Sequence, residues 1–152
     1  MGLDMYLKGK RHLSTWDEKS EDAKRSRDIA DQFPEIKGRA VNEVCCELGY
    51  WRKANAIHGW FVRNVQDGVD QCQESYVSRD KLIELRDVCA QVLEDHAKAN
   101  ALLPTTQGFF FGGYDLDEYY LDYVAETKSL IDSILDSGLN EKGWDVYYQA
   151  SW

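Results

Sequence analysis

Residues 50–61, Tyr50-Trp51-Arg52-Lys53-Ala54-Asn55-Ala56-Ile57-His58-Gly59-Trp60-Phe61, constrain the fold most, because aromatic, cationic and amide side chains crowd every side of them. On a 3.6-residue wheel Tyr50, Ala54, Ile57, Phe61 and Val65 share one apolar stripe, the pattern of a core-facing helix. Trp51, Asn55, His58 and Val62 follow at steps of four, three and four, so an indole, a carboxamide and an imidazole line up beside that stripe and can converge on one object. Trp60 falls roughly opposite the apolar stripe, near Lys53 and Asn64, which puts it off the core. The spacing predicts a helix beginning near Arg39 or Ala40, carrying Val41, Val44, Cys45 and Leu48, and kinked at Gly49.

Around this run the chain alternates between the two regular periods. Leu3, Met5 and Leu7 alternate with Asp4, Tyr6 and Lys8 as in a half-buried strand, and Val146, Tyr147 and Tyr148 within Trp144 to Trp152 form a strand-like set able to pair with it. Trp16 to Phe33 reads as an exposed helix with Ser14 or Thr15 as cap and Pro34 as stop. Ser78 caps a helix running to about Leu102, with Leu82, Leu85, Cys89, Val92, His96 and Asn100 on one face and Pro104 beyond it. Asp117 to Ser137 is helical, burying Tyr120, Tyr123, Val124, Thr127, Ile131, Ile134 and Leu135 and stopping at Gly138. The expected architecture is α+β: about four helices packed on a small antiparallel sheet formed by the N- and C-terminal strands, with the Phe segment as a further strand candidate. Residues 1–152 make a single domain.

The segment Thr105-Thr106-Gln107-Gly108-Phe109-Phe110-Phe111-Gly112-Gly113-Tyr114 is the second unusual feature. Three successive phenylalanines in an extended chain cannot face one way, so both sides need cover from protein, partner or ligand. Thr105, Thr106 and Gln107 either close the turn after Pro104 or read polar groups of a ligand whose flat face stacks on Trp51 or a phenylalanine.

Charge narrows the partners. The net charge is −9, with 12 basic and 13 acidic residues in 1–76 and 6 and 14 in 77–152. Non-specific duplex nucleic-acid binding, which needs many Lys and Arg contacts to phosphate, is disfavoured, while a local basic pocket for a small anion in the first half is not. No apolar run reaches membrane-spanning length and no secretory signal opens the chain, so a soluble, intracellular protein is expected. Cys45, Cys46, Cys72 and Cys89 form no CxxC pair and are expected as buried free thiols. His12, His58 and His96 lie in no hydrolase motif, and His96 reads as a partly buried histidine on its helix face. Asn55 and His58 suit either a ligand edge or an ordinary polar pair at the core rim. Asp115, Asp117, Glu118 and Asp122 suit a helix start, and a magnesium site would need a further acidic group and a phosphate substrate. No metal site and no cofactor is expected.

At Met1-Gly2-Leu3-Asp4-Met5-Tyr6-Leu7, Gly49 to Phe61, Leu103 to Gly112 and Tyr147-Tyr148-Gln149-Ala150-Ser151-Trp152, the chain resembles a family of small proteins encoded by tailed bacteriophages. The resemblance implies a protein made in the host cytoplasm during infection, and by analogy of context one that counters host defence. The leading expectation is binding, without consumption, of a small nucleotide-like molecule such as a cyclic dinucleotide or a cyclic ADP-ribose derivative. Trp51 and Phe109 would stack the base, Asn55, His58, Thr105 and Gln107 would read its edges, and Arg52 would neutralise phosphate. The alternatives are an interaction protein that inhibits a host enzyme, including a defence protein, and a hydrolase acting on a nucleotide. The aromatic surface suits a homo-oligomer.

Overall fold

The computed structural model describes residues 2–152. Strand β1 (Asp4–His12) lies at the centre of a four-stranded antiparallel sheet. Its neighbours are β2 (Glu43–Arg52) and β4 (Trp144–Ser151), and β3 (Ser75–Val77) flanks β4. Alternation decides which face is buried: Met5, Leu7, Val77, Val146, Tyr148 and Ala150 point to one side, while Tyr6, Lys8, Tyr147 and Gln149 sit on the partly solvated other side. As expected, the N- and C-terminal strands pair, Asp4 opposite Ser151 and Arg11 opposite Trp144.

The buried face is covered by α2 (Asn55–Asn64), α3 (Arg79–Glu94) and α5 (Glu118–Ser137), whose apolar residues join the sheet in one continuous core. Two further helices bring the number to five: α1 (Glu21–Asp31) and the single turn α4 (Ala99–Leu102). Capping sets the boundaries. Ser20, rather than Ser14 or Thr15, caps α1, accepting from the Ala23 N–H at 3.1 Å. Ser78 caps α3 and Asp117 caps α5, and Gly138 ends α5 at φ 66°, a conformation that suits glycine. The acidic cluster thus contains a helix cap, and no group of acidic, His or Cys side chains among the described residues is arranged to hold a metal.

Several sequence expectations need correction. The predicted helix from residue 39 or 40 does not exist before Ala54: Glu43 to Arg52 is strand, and the Phe segment, a further strand candidate, is loop. The period-two signal in β2 was hidden by a bulge. Leu7 pairs with Gly49 and Lys8 with Glu47, leaving Leu48 as an extra residue that inverts the in-out alternation on either side of it. Tyr50 therefore lies outside the core, 47% exposed, its hydroxyl on the Asp4 carboxylate. Trp60, in contrast, is buried, because sheet, helices and loop enclose α2 so fully that every residue from Asn55 to Phe61 is buried.

A further correction concerns α3, which stops at Glu94. Asp95 turns to an extended conformation and its carboxylate takes the Ala97 N–H, starting a 3-10 turn (His96–Lys98) that leaves His96 exposed. All four cysteines are free, yet Cys45 and Cys46 lie exposed on β2 and only Cys89 is fully buried, its thiol pushed up to about 12 by desolvation. No helix among the described residues is long and apolar enough to cross a membrane.

Candidate functional site

The chain leaves β2 at Arg52 and turns into α2 through Lys53, whose φ is 57°. This turn is held by the Lys53 N–H donating to the Leu3 carbonyl at 2.8 Å. Trp51 thus lies near the end of a strand, 4% exposed in the core rather than free to stack a ligand, and Asn55 begins a helix, so they do not share a helical stripe. Two distinct arrangements result, one on each side of α2.

On the first side, Asn55 fastens the loop from Leu103 to Tyr114. Its amide Nδ2 donates to the carbonyls of Phe111 (3.1 Å) and Gly113 (2.8 Å), and its Oδ1 accepts the Thr106 N–H (3.0 Å). Three backbone groups of an irregular segment are thereby satisfied by one buried side chain, as a loop packed on a core requires. Gly59 lets the loop approach, since any Cβ there would overlap Thr106 Oγ1. The Tyr120 hydroxyl holds the Leu103 carbonyl at 2.7 Å, Thr105 donates to the Tyr114 carbonyl at 3.1 Å, and Phe111 N–H closes a turn on Gly108.

This scaffold divides the three phenylalanines. Phe111 is buried with its ring edge-on to His58, centroids 5.1 Å apart, whereas Phe109 is 81% exposed and Phe110 46% exposed. Phe109 and Phe110 meet edge to face at 4.8 Å, and Phe110 occupies φ 65°, strained for an aromatic residue. Tyr114, whose hydroxyl reaches Gly108, and Trp152, beside Phe111, extend the exposed aromatic surface. Gln107 is exposed at the loop tip.

His58 lies beneath this loop with no solvent access. Its Nε2 is 2.9 Å from Asp70 Oδ2 and its Nδ1 2.8 Å from the Tyr148 hydroxyl. In the neutral ring the carboxylate fixes the tautomer: Nε2–H donates to Asp70 and Nδ1 accepts the Tyr148 proton. The second Asp70 oxygen accepts the Trp152 indole N–H at 3.0 Å. The order Asp-His-hydroxyl resembles a proton relay, but Tyr148 is wholly buried, stacked on Phe61 at 3.9 Å, and its burial raises the phenol pKa well above the ordinary value. Its hydroxyl bonds to His58 within the core. No sequence motif links His58, Asp70, Tyr148 and Trp152, so only the fold reveals this chain of contacts.

On the second side, Trp51 and Arg52 line a groove of about 300 Å³ between the end of β2, the start of α2 and α5, together with Tyr50, Ala54, Tyr119, Asp122, Tyr123 and Glu126. Tyr119 donates to the Arg52 carbonyl at 2.8 Å, and the Arg52 guanidinium stands 3.9 Å from Asp4. Of the seven residues singled out from the sequence, Asn55, His58, Thr105, Gln107 and Phe109 gather at the loop, and Trp51 and Arg52 at the groove. Two larger open concavities, of about 510 and 620 Å³, flank α1; the second is lined by Arg11, Arg25 and Lys142. Compared with protein-family models, curated proteins and solved structures, the chain matches none.

Proposed function

We propose that this chain is a binding protein that contacts another protein through the face built on Phe109 and Phe110. The observation that carries the reading is the expenditure on that loop: a buried asparagine, a glycine in α2 and a strained Phe110 together hold two aromatic rings outward, where neither contributes to the core. Aromatic side chains fixed on a rigid support lose little entropy on binding and dominate many interfaces. Asp115, Asp117 and Glu118 follow directly in the sequence, which favours a partner with an apolar pocket bordered by basic residues. The resemblance to phage proteins supports a host protein, such as a defence enzyme, as that partner.

The test couples the protein to a support through the exposed Cys45 and Cys46 thiols, remote in β2 from the loop, and compares proteins retained from bacterial lysate by the native chain and by the Phe109→Ser/Phe110→Ser double variant. A specific protein retained only by the native chain is expected, with the variant melting at an unchanged temperature. Equal retention by both would refute the assignment of the face.

A second reading, sequestration of a small nucleotide-like molecule, is favoured by the groove, whose rim carries the exposed Arg52 with Tyr50 and Tyr119. Asn55 and His58 direct their side-chain polar atoms to the protein itself and Trp51 is buried against Phe61, so such a ligand would meet chiefly Arg52 and the rim tyrosines.

A further inference from the structure

Strand β2 stands at an edge of the sheet: β1 pairs with one side of it, and among the described residues no strand pairs with the other. Two bonds at its ends fix which residues face β1. The Lys53 N–H meets the Leu3 carbonyl and the Leu13 N–H meets the Asn42 carbonyl, so by alternation Trp51, Gly49, Cys46 and Val44 bond to β1. Glu43, Cys45, Glu47, Tyr50 and Arg52 therefore aim their backbone N–H and C=O groups outward, with Leu48 as the extra residue of the bulge. All five are exposed. Tyr119 donates to the Arg52 carbonyl from that outer side and leaves the carbonyl's second lone pair free. Leu48 and Leu130 pack on the core but stay partly exposed along the same edge, Leu130 lying over Gly49. The opposite edge of the sheet, β3, has three residues, whereas β2 offers ten. A long row of outward backbone groups is a template for another strand.

We propose that the occupant is a second copy of this chain, paired β2 to β2 and antiparallel across a two-fold axis, so that two four-stranded sheets become one. Such a pairing must set each outward residue opposite an outward residue. The bulge shifts the outward positions by one beyond Leu48, and that shift is what lets both halves of the strand pair with the other copy at once. Two registers then satisfy the backbone. One sets Glu43 opposite Arg52 and Cys45 opposite Tyr50; the other sets Cys45 opposite Arg52 and Glu47 opposite Tyr50. Charge selects the first, because the two-fold repeats a carboxylate against a guanidinium at both ends of the joined strands. The same register brings Leu48 of each copy to the axis, where the half-covered leucines of both helix layers lose water together. The two Glu47 side chains also approach there, each with Lys8 opposite it on its own β1. That repulsion and the short contact make the dimer a weak one, with a dissociation constant of about 10–1,000 μM expected.

Sedimentation equilibrium of the full chain tests this from low micromolar to about 1 mM, a range set by that affinity. The native chain is expected to pass from monomer to dimer. Cys45→Pro removes one outward N–H and leaves the bonds to β1, a substitution that edge strands tolerate, and it is expected to remain monomeric. The register is read by charge reversal at two exposed positions. Glu43→Arg and Arg52→Glu each set like charges together twice and are expected to weaken self-association by about tenfold or more. Mixed with each other, the two variants restore both opposite pairs and are expected to form a heterodimer of about native affinity, which a merely misfolded variant would not do. A native chain that stays monomeric at about 1 mM overturns the proposal and leaves the edge to a foreign strand. A native dimer that Cys45→Pro retains in full overturns the β2 edge as its site. Charge variants that fail to complement each other overturn the pairing of Glu43 with Arg52.

Discussion

Replacing Asn55 should release the aromatic loop more than any other single substitution. The side chain is 1% exposed and makes three hydrogen bonds to loop backbone. Asn55→Ala removes all three and leaves two carbonyls and one N–H without partners beside the core. Each such bond contributes about 0.5–1.5 kcal/mol net, and an unpaired buried group costs about 1–3 kcal/mol. The loop lies at the surface and can hydrate its freed groups by lifting, so the larger costs are only partly realised and a loss of about 3 kcal/mol is expected. For a chain of this size that corresponds to a drop of about 6–12 °C in melting temperature.

Asn55→Asp sharpens the test. The carboxylate can still accept the Thr106 N–H, but it cannot donate to Phe111 and Gly113 and would face their carbonyl oxygens with a negative charge. It is expected to destabilise at least as much as alanine despite its similar shape. Urea titration gives the stability, and hydrogen exchange locates it: amides from Thr106 to Tyr114 should lose protection while those of β1 and β4 keep theirs. A loss below about 1 kcal/mol, with loop protection unchanged, would refute the claim that one amide holds this segment.

Gly59→Ala drives a methyl group into Thr106 Oγ1 and should displace the loop, costing about 1–3 kcal/mol in denaturant titration. With a native-state thiol reagent, Cys45 and Cys46 should label fast, Cys72 more slowly and Cys89 only on unfolding, as read by mass spectrometry over time. Glu74 has its carboxyl held below the ordinary 4.5, first by the hydrogen bond from Lys10, then by Lys8. A depressed folded-state pKa contributes stability above 4.5 that is lost as pH falls through the folded value. Glu74→Gln should therefore flatten the acid limb of the stability profile, by under about 1 kcal/mol for so solvated a pair.

The sequence announced what depends on local pattern and concealed what depends on register. β1 and α5 were legible because an uninterrupted alternation and a clean apolar face each match a single period, and Ser78 at the start of α3 and Gly138 at the end of α5 mark helix ends by chemistry. β2 was not, since the extra residue at Leu48 breaks its alternation and leaves the aromatics of Tyr50 to Phe61 to mimic one long helix. The candidate residues were partly legible for the same reason. Asn55 and the phenylalanine run do meet in space, but which partners Asn55 takes depends on a loop crossing at Gly59, and the link from His58 through Asp70 to Trp152 joins positions with no common spacing.

The pairing of Asp4 with Ser151 has a practical consequence for anyone who handles this protein. The two ends leave the sheet side by side, and both touch the aromatic loop, Leu3 through its N–H on the Phe110 carbonyl at 3.4 Å and Trp152 through its ring against Phe111. A purification tag or fluorescent fusion joined beside Leu3 or Trp152 would lie close to Phe110 and Phe111 and crowd the exposed aromatic surface. The same closeness invites a circular permutant: a short glycine-serine linker could join the ends, with new ends opened in the exposed connection around Gly38, at the far side of the molecule's α1.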